Sequence, residues 1–152
     1  MGDEITPGKV SRISDTVACA TPSMPARRIL LAEDNPVNRE LATEMLTFLG
    51  FDVDSAEDGR KAVAAFDRCS YDLILMDCEM PVLDGFEATR LIRAAETASN
   101  RKKAPIVALT GYTTEEDRDK CLEAGMDDFL GKPFTLNEIR EMTVKWATAE
   151  GG

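Results

Sequence analysis

The stretch Arg28-Ile-Leu-Leu-Ala-Glu-Asp-Asn-Pro-Val-Asn38 decides the fold. Its first half, Arg28 to Ala32, is a short apolar run, as expected of a strand buried on both faces. Two carboxylates, Glu33 and Asp34, end the run. Asn35-Pro36 then opens a helix, with Asn as N-cap and Pro at the first helical position, where a missing N–H costs nothing. Val37, Leu41, Met45 and Phe48/Leu49 follow at helical spacing and are predicted to face inward, and Gly50 closes the helix. The stretch reads as strand, acidic turn, helix.

Moving outward, the same unit recurs. Phe51 to Ala56 reads as a strand, and Asp58 to Arg68 as a helix with Ala62, Val63 and Phe66 inward. Leu73 to Met76 is a third strand, followed by a helix from Gly85 to about Ala98 carrying Phe86, Leu91 and Ile92. Pro105 to Leu109 is a fourth strand, and Thr114 to Ala124 a helix closed by Gly125. Asp128 to Leu130 is a short fifth strand, and Thr135 to about Trp146 the last helix, with Leu136, Ile139 and Met142 inward. Alternating strands and helices of this kind predict an α/β, flavodoxin-like, doubly wound (βα)5 fold. Its five-stranded parallel sheet has the order 2-1-3-4-5, with a crevice at the carboxyl ends of strands 1 and 3.

The rest of the chain is plainer. Residues 1–26 are rich in Ser, Thr, Pro and Gly and read as a linker or disordered arm, in which Val10, Ile13 and Val17 have loose helical spacing. Residues 27–148 form the domain and 149–152 a flexible tail. No output domain follows residue 148, so the chain reads as a stand-alone unit or a piece of a longer protein.

Composition narrows the function. The chain has 152 residues, 43% of them apolar and 30% charged, which suits one domain with a real core. With 18 basic and 28 acidic residues the net charge is −10, and the one basic run, Arg101-Lys102-Lys103, is too short to track phosphates, so no nucleic-acid partner is expected. No stretch is long and apolar enough for a bilayer and the amino terminus is not a signal peptide, so a cytoplasmic chain without membrane contact is expected. Cys19, Cys69, Cys78 and Cys121 lack zinc spacing and read as reduced, mostly buried thiols. The sequence has no His, which excludes a Ser-His-Asp triad and a phosphohistidine within it.

Chemistry gathers at the strand ends. Strand 1 ends in Glu33-Asp34, strand 3 in Asp77 and strand 4 in Thr110, and strand 5 precedes Lys132-Pro133. In the expected strand order these groups share one pocket. Three carboxylates and one lysine leave a formal charge of −2, which one divalent cation neutralises; hard oxygen ligands favour Mg²⁺ or Mn²⁺. A carboxylate is then left to act as a nucleophile on a phosphoryl group, with Lys132, Thr110 and backbone N–H groups to bind its oxygens. Each residue alone has an ordinary reading as a strand end, a surface lysine or, for Phe129, a core aromatic. Their coincidence at one sheet edge is far more specific.

With these residues in place, the sequence resembles the receiver domain of two-component response regulators. The resemblance runs through Leu-Ala-Glu33-Asp34-Asn35-Pro-Val-Asn38, Met-Asp77-Cys-Glu-Met-Pro81-Val-Leu-Asp-Gly85, Ala-Leu-Thr110-Gly and Phe129-Leu-Gly-Lys132-Pro133-Phe, and covers about residues 27 to 147. It implies that Asp77 is the phosphoacceptor. It implies that Asp34, Asp77 and the Glu79 backbone carbonyl hold Mg²⁺, with Glu33 acting through a water. It further implies that Lys132 pairs with the phosphoryl group, that Thr110 moves toward it, that Phe129 is the aromatic switch, and that Lys132-Pro133 is a cis peptide. The donor would be a histidine kinase or a histidine phosphotransfer domain. A dimer through the fourth helix, fifth strand and fifth helix belongs to the same set of implications. The wording around Asp34 and Asp77 is most similar to receivers of hybrid histidine kinases. Gly111 stands where the family often has Ala, and Phe129 where it often has Tyr.

Other classes compete with this reading. An aspartyl phosphohydrolase would carry Asp-x-Asp after strand 1, where this chain has Glu-Asp-Asn-Pro. A flavodoxin would place phosphate where Glu33 and Asp34 repel it. A non-reactive docking module would not need the full acidic set.

Overall fold

The computed structural model describes residues 27–111 and 114–147; the expected arm over 1–26, with Cys19 and the loose helical spacing, and the expected tail over 149–152 lie outside the described residues. The described chain alternates β1 (Arg28–Ala32), α1 (Pro36–Phe48), β2 (Asp52–Ala56), α2 (Gly59–Arg68), β3 (Leu73–Asp77), α3 (Gly85–Ser99), β4 (Ile106–Thr110), α4 (Glu115–Ala124), β5 (Asp128–Gly131) and α5 (Leu136–Trp146). The five strands are parallel in the order β2-β1-β3-β4-β5, the flavodoxin-like arrangement expected from the sequence.

The three central strands explain their own composition. Successive side chains alternate between faces. Leu30, Ala32, Ile74, Met76, Ile106 and Ala108 enter one core with Ala62 and Phe66 of α2, Ala88 and Ile92 of α3 and Cys121 of α4. Ile29, Leu31, Leu73, Leu75, Val107 and Leu109 enter the other, with Ala42 and Leu46 of α1 and Ile139 of α5. Both faces are dry, so both parities must be apolar.

Helix starts carry side-chain caps, among them the Asn35 cap expected from the sequence. The Asn35 side chain accepts from the Val37 and Asn38 N–H groups at 2.9 and 3.0 Å, Asp84 accepts from Glu87 N–H, and Thr114 and Thr135 form capping boxes. Cys69, Cys78 and Cys121 are buried, as expected.

Three helix faces depart from expectation. In α1, Val37, Leu41 and Phe48 are 71%, 50% and 77% exposed, while Ala42 and Leu46 are the buried residues and Met45 and Leu49 are half-buried. The helix has two apolar stripes, and the narrower one, built on Ala42 and Leu46, allows close approach to the sheet. In α5, Leu136 is exposed, because as the first helical residue it precedes the turn that meets the sheet; Ile139 is buried and Met142 half-buried as expected. In α3, Ile92 is buried while its neighbour Leu91, about a quarter turn away, is exposed.

Candidate functional site

Strand register places the polar groups side by side. Ala32 is level with Met76, so the next residues, Glu33 and Asp77, leave adjacent strands together. Asp77 is level with Leu109, one residue before Thr110. Thr110 is level with Gly131, and the Lys132 N–H donates to the Thr110 carbonyl at 2.8 Å. Four strands therefore deliver Glu33, Asp77, Thr110 and Lys132 to one edge.

Glu33 and Asp77 are each 2% exposed, Thr110 is buried, and Asp34 is exposed at the rim. Oxygens of Glu33, Asp34 and Asp77 all lie within 4.8 Å of one another. The Lys132 ammonium donates to Asp77 Oδ1 at 3.2 Å and to Glu33 Oε1 at 3.5 Å. The Glu79 N–H donates to Asp77 Oδ1 at 3.2 Å, and the Asn35 N–H to Glu33 Oε2 at 3.2 Å. Asp77 Oδ2 is buried with no hydrogen-bond partner among the described residues.

The electrostatics follow from crowding. Burial first, then the neighbouring Glu33 charge, pushes the Asp77 carboxyl up to about 7, against the pull of the Glu79 N–H and Lys132. Burial disfavours the Lys132 ammonium, but Asp77 and Glu33 outweigh it and raise its pKa. A pocket that strains to hold its negative charge, with one buried oxygen left unpaired, is chemically suited to a hard divalent cation.

The surroundings fix this geometry. A Cβ at Gly85 would stand 2.2 Å from the Asp77 carbonyl, so only glycine lets α3 start against the end of β3. The Lys132-Pro133 peptide is cis. Phe129 is half-buried on β5, with the Arg118 guanidinium of α4 at 4.8 Å from its ring centroid. A groove of about 250 Å³ opens beside Lys132, lined by Asn38, Leu41, Ala42, Pro133 and Phe134.

The structure also brings in residues that the sequence did not flag. Arg39 Nη1 donates to the carbonyl oxygens of Glu33 and Asp34 at 3.0 and 3.4 Å. Its one signal was position, one helical turn beyond the Asn35 cap. Arg118 carried no signal, because its role depends on α4 lying over β5.

A family model, the response regulator receiver domain, matches residues 29–144. The chain belongs to the response regulator receiver domain family. This receiver is 38% identical over 122 residues to hybrid signal transduction histidine kinase A of Dictyostelium discoideum, covering 79% of this chain and 6% of the kinase. The chain thus spans a small part of such relatives. Among solved structures, the receiver domain of sensor histidine kinase PA1611 from Pseudomonas aeruginosa, with a magnesium ion coordinated in its active-site cleft, is 46% identical. Its TM-score is 0.74, and the match covers 82% of this chain and 99% of that one. The receiver domain of Saccharomyces cerevisiae Ssk1, solved with the histidine phosphotransfer protein Ypd1, is 31% identical with a TM-score of 0.75, covering 84% of this receiver and 92% of that chain. No described helix of this receiver is long and apolar enough to cross a membrane.

Proposed function

We propose that this receiver accepts a phosphoryl group on Asp77 from a phosphohistidine of a histidine kinase or histidine phosphotransfer domain. The observation that carries the reading is the buried Asp77 carboxylate set between the Lys132 ammonium and two further carboxylates. A carboxylate oxygen of Asp77 attacks phosphorus, the P–N bond breaks, and the acyl phosphate forms as imidazole departs. Lys132, already on Asp77 Oδ1, offsets charge on the transferring oxygens. Thr110, buried at the end of β4, binds one of them by its hydroxyl.

Asp34, Asp77 and the Glu79 carbonyl would hold Mg²⁺, or Mn²⁺, with Glu33 acting through a water. The cation supplies charge neutralisation for phosphoryl transfer. The magnesium in the PA1611 receiver supports the assignment.

The exposed Val37 and Leu41 beside the groove next to Lys132 offer an apolar seat for the donor, and the Ssk1 receiver solved with Ypd1 supports a histidine phosphotransfer protein as a partner. Thr110 and Phe129 then relay phosphorylation to α4, β5 and α5, biasing a two-state equilibrium on that face. The same face would serve output contacts or a dimer. Residues 27–148 form the functional unit, a cytoplasmic phosphoacceptor rather than a turnover enzyme, within a hybrid sensor histidine kinase.

Intact mass after incubation with acetyl phosphate tests the reading. One added phosphoryl group is expected in the presence of Mg²⁺, and none in Asp77→Asn. Persistent single phosphorylation of Asp77→Asn would reject the assignment.

A further inference from the structure

We infer that Arg39 is a positioning residue for the divalent cation, acting through the backbone that carries Glu33 and Asp34. The inference rests on the cation reading above. Arg39 lies in the first turn of α1, with its N–H on the Asn35 carbonyl at 2.8 Å. Its half-buried side chain turns back to the loop between β1 and α1, where one Nη atom donates to the Glu33 carbonyl at 3.0 Å and the Asp34 carbonyl at 3.4 Å.

The two carboxylates depend on that loop differently. Glu33 is held through its own side chain by the Asn35 N–H and Lys132. Among the described residues the Asp34 carboxylate takes no hydrogen bond, so its direction follows from its backbone. Arg39 grips that backbone from outside the pocket. It touches neither carboxylate, and groups that orient ligands in this indirect way commonly govern metal affinity.

Electrostatics and positioning predict opposite signs. Deleting a positive charge beside a pocket of three carboxylates should tighten cation binding if Arg39 acts as a charge alone. Deleting a clamp should weaken it, because Asp34 then spends entropy to reach the ion. Arg39→Lys separates the two again, since it keeps the charge but its side chain is one bond too short to set a donor where Nη1 stands.

The experiment is an amide NMR titration with MgCl₂ on the full chain, following the 33, 34 and 77 resonances in wild type, Arg39→Ala and Arg39→Lys. Peak dispersion reports folding in the same spectra. The expected result is an apparent Kd about tenfold weaker in Arg39→Ala, with Arg39→Lys between it and wild type. Wild-type saturation with unchanged or tighter binding in Arg39→Ala would overturn the positioning role. So would equal affinity of wild type and Arg39→Lys, should Arg39→Ala prove unfolded. A wild type without saturable shifts would remove the cation reading itself, and this inference with it.

Discussion

The Lys132 ammonium bridges Asp77 and Glu33, at 3.2 Å from one carboxylate and 3.5 Å from the other. It is the cation that β5 contributes to a pocket whose acids come from β1 and β3. Replacing it with an apolar chain of similar length removes both pairings at once. Lys132→Met should slow Asp77 phosphorylation by acetyl phosphate about a hundredfold, the usual scale for deleting one charge-stabilising donor. The same variant should bind Mg²⁺ more tightly, because the pocket loses its internal positive charge. Phosphorylation at the wild-type rate would exclude Lys132 from the chemistry.

The crowded Asp77 also makes a stability prediction. Its carboxyl is pushed up to about 7 in the metal-free fold, from an ordinary value of 3.8. The folded state therefore holds a proton that the unfolded state has released between those two values. Stability from this group is full below pH 3.8, falls as pH rises, and is spent above about pH 7. Asp77→Asn carries no such charge. In a chelator, its stability gain over wild type should be about 4 kcal/mol larger at pH 8 than at pH 4, at about 1.4 kcal/mol for each pH unit between 3.8 and about 7. Urea unfolding at the two pH values checks this; a pH-independent difference would contradict it.

The strands, the Asn35 cap and the strand-end positions of Glu33, Asp34, Asp77, Thr110 and Lys132 were legible from local signals, and the doubly wound topology then brought those strand ends together. Apolar runs gave the strands, and the acids and hydroxyl fell at their ends. Helix orientation was harder to read. In α1 the residues Val37, Leu41 and Phe48 form one apolar stripe, and Ala42, Leu46 and Leu49 another, about a quarter turn or more away. Periodicity alone favours the larger side chains, whereas packing against the sheet favours Ala42 and Leu46, and the larger stripe stays at the surface. Arg39 was illegible for a different reason. A side chain that returns to its own loop's carbonyls leaves no periodic mark.

Val82 follows Pro81 in the loop after Asp77. It has φ 70°, in the left-handed region, and is 73% exposed. A β-branched side chain is strained there, and the Leu83 N–H to Pro81 carbonyl bond of 2.6 Å marks the tight turn that imposes it. Nothing in the core requires this side chain. Val82→Gly should stabilise the protein by about 1 kcal/mol, the relief of strain exceeding the entropy that glycine adds to the unfolded state. A lower unfolding midpoint in urea would refute the strain.

Gly111 follows Thr110 at the rim of the same pocket. Its φ lies outside the left-handed region, and a Cβ built on it meets nothing within 4 Å among the described residues. No close approach by a described residue therefore demands glycine, and Gly111 is exposed to water. Water that reaches the acyl phosphate hydrolyses it, so an added methyl group that excludes water should lengthen its life. Gly111→Ala should fold as wild type does, with stability equal or up to about 1 kcal/mol higher through a less flexible unfolded chain. The half-life of phosphorylated Asp77, followed by intact mass after removal of acetyl phosphate, should increase a few-fold. An unchanged half-life would show that water reaches the phosphoryl group by another route, with Gly111 immaterial to the lifetime. A shortened one would mean that the methyl group disturbs Thr110 more than it shields Asp77.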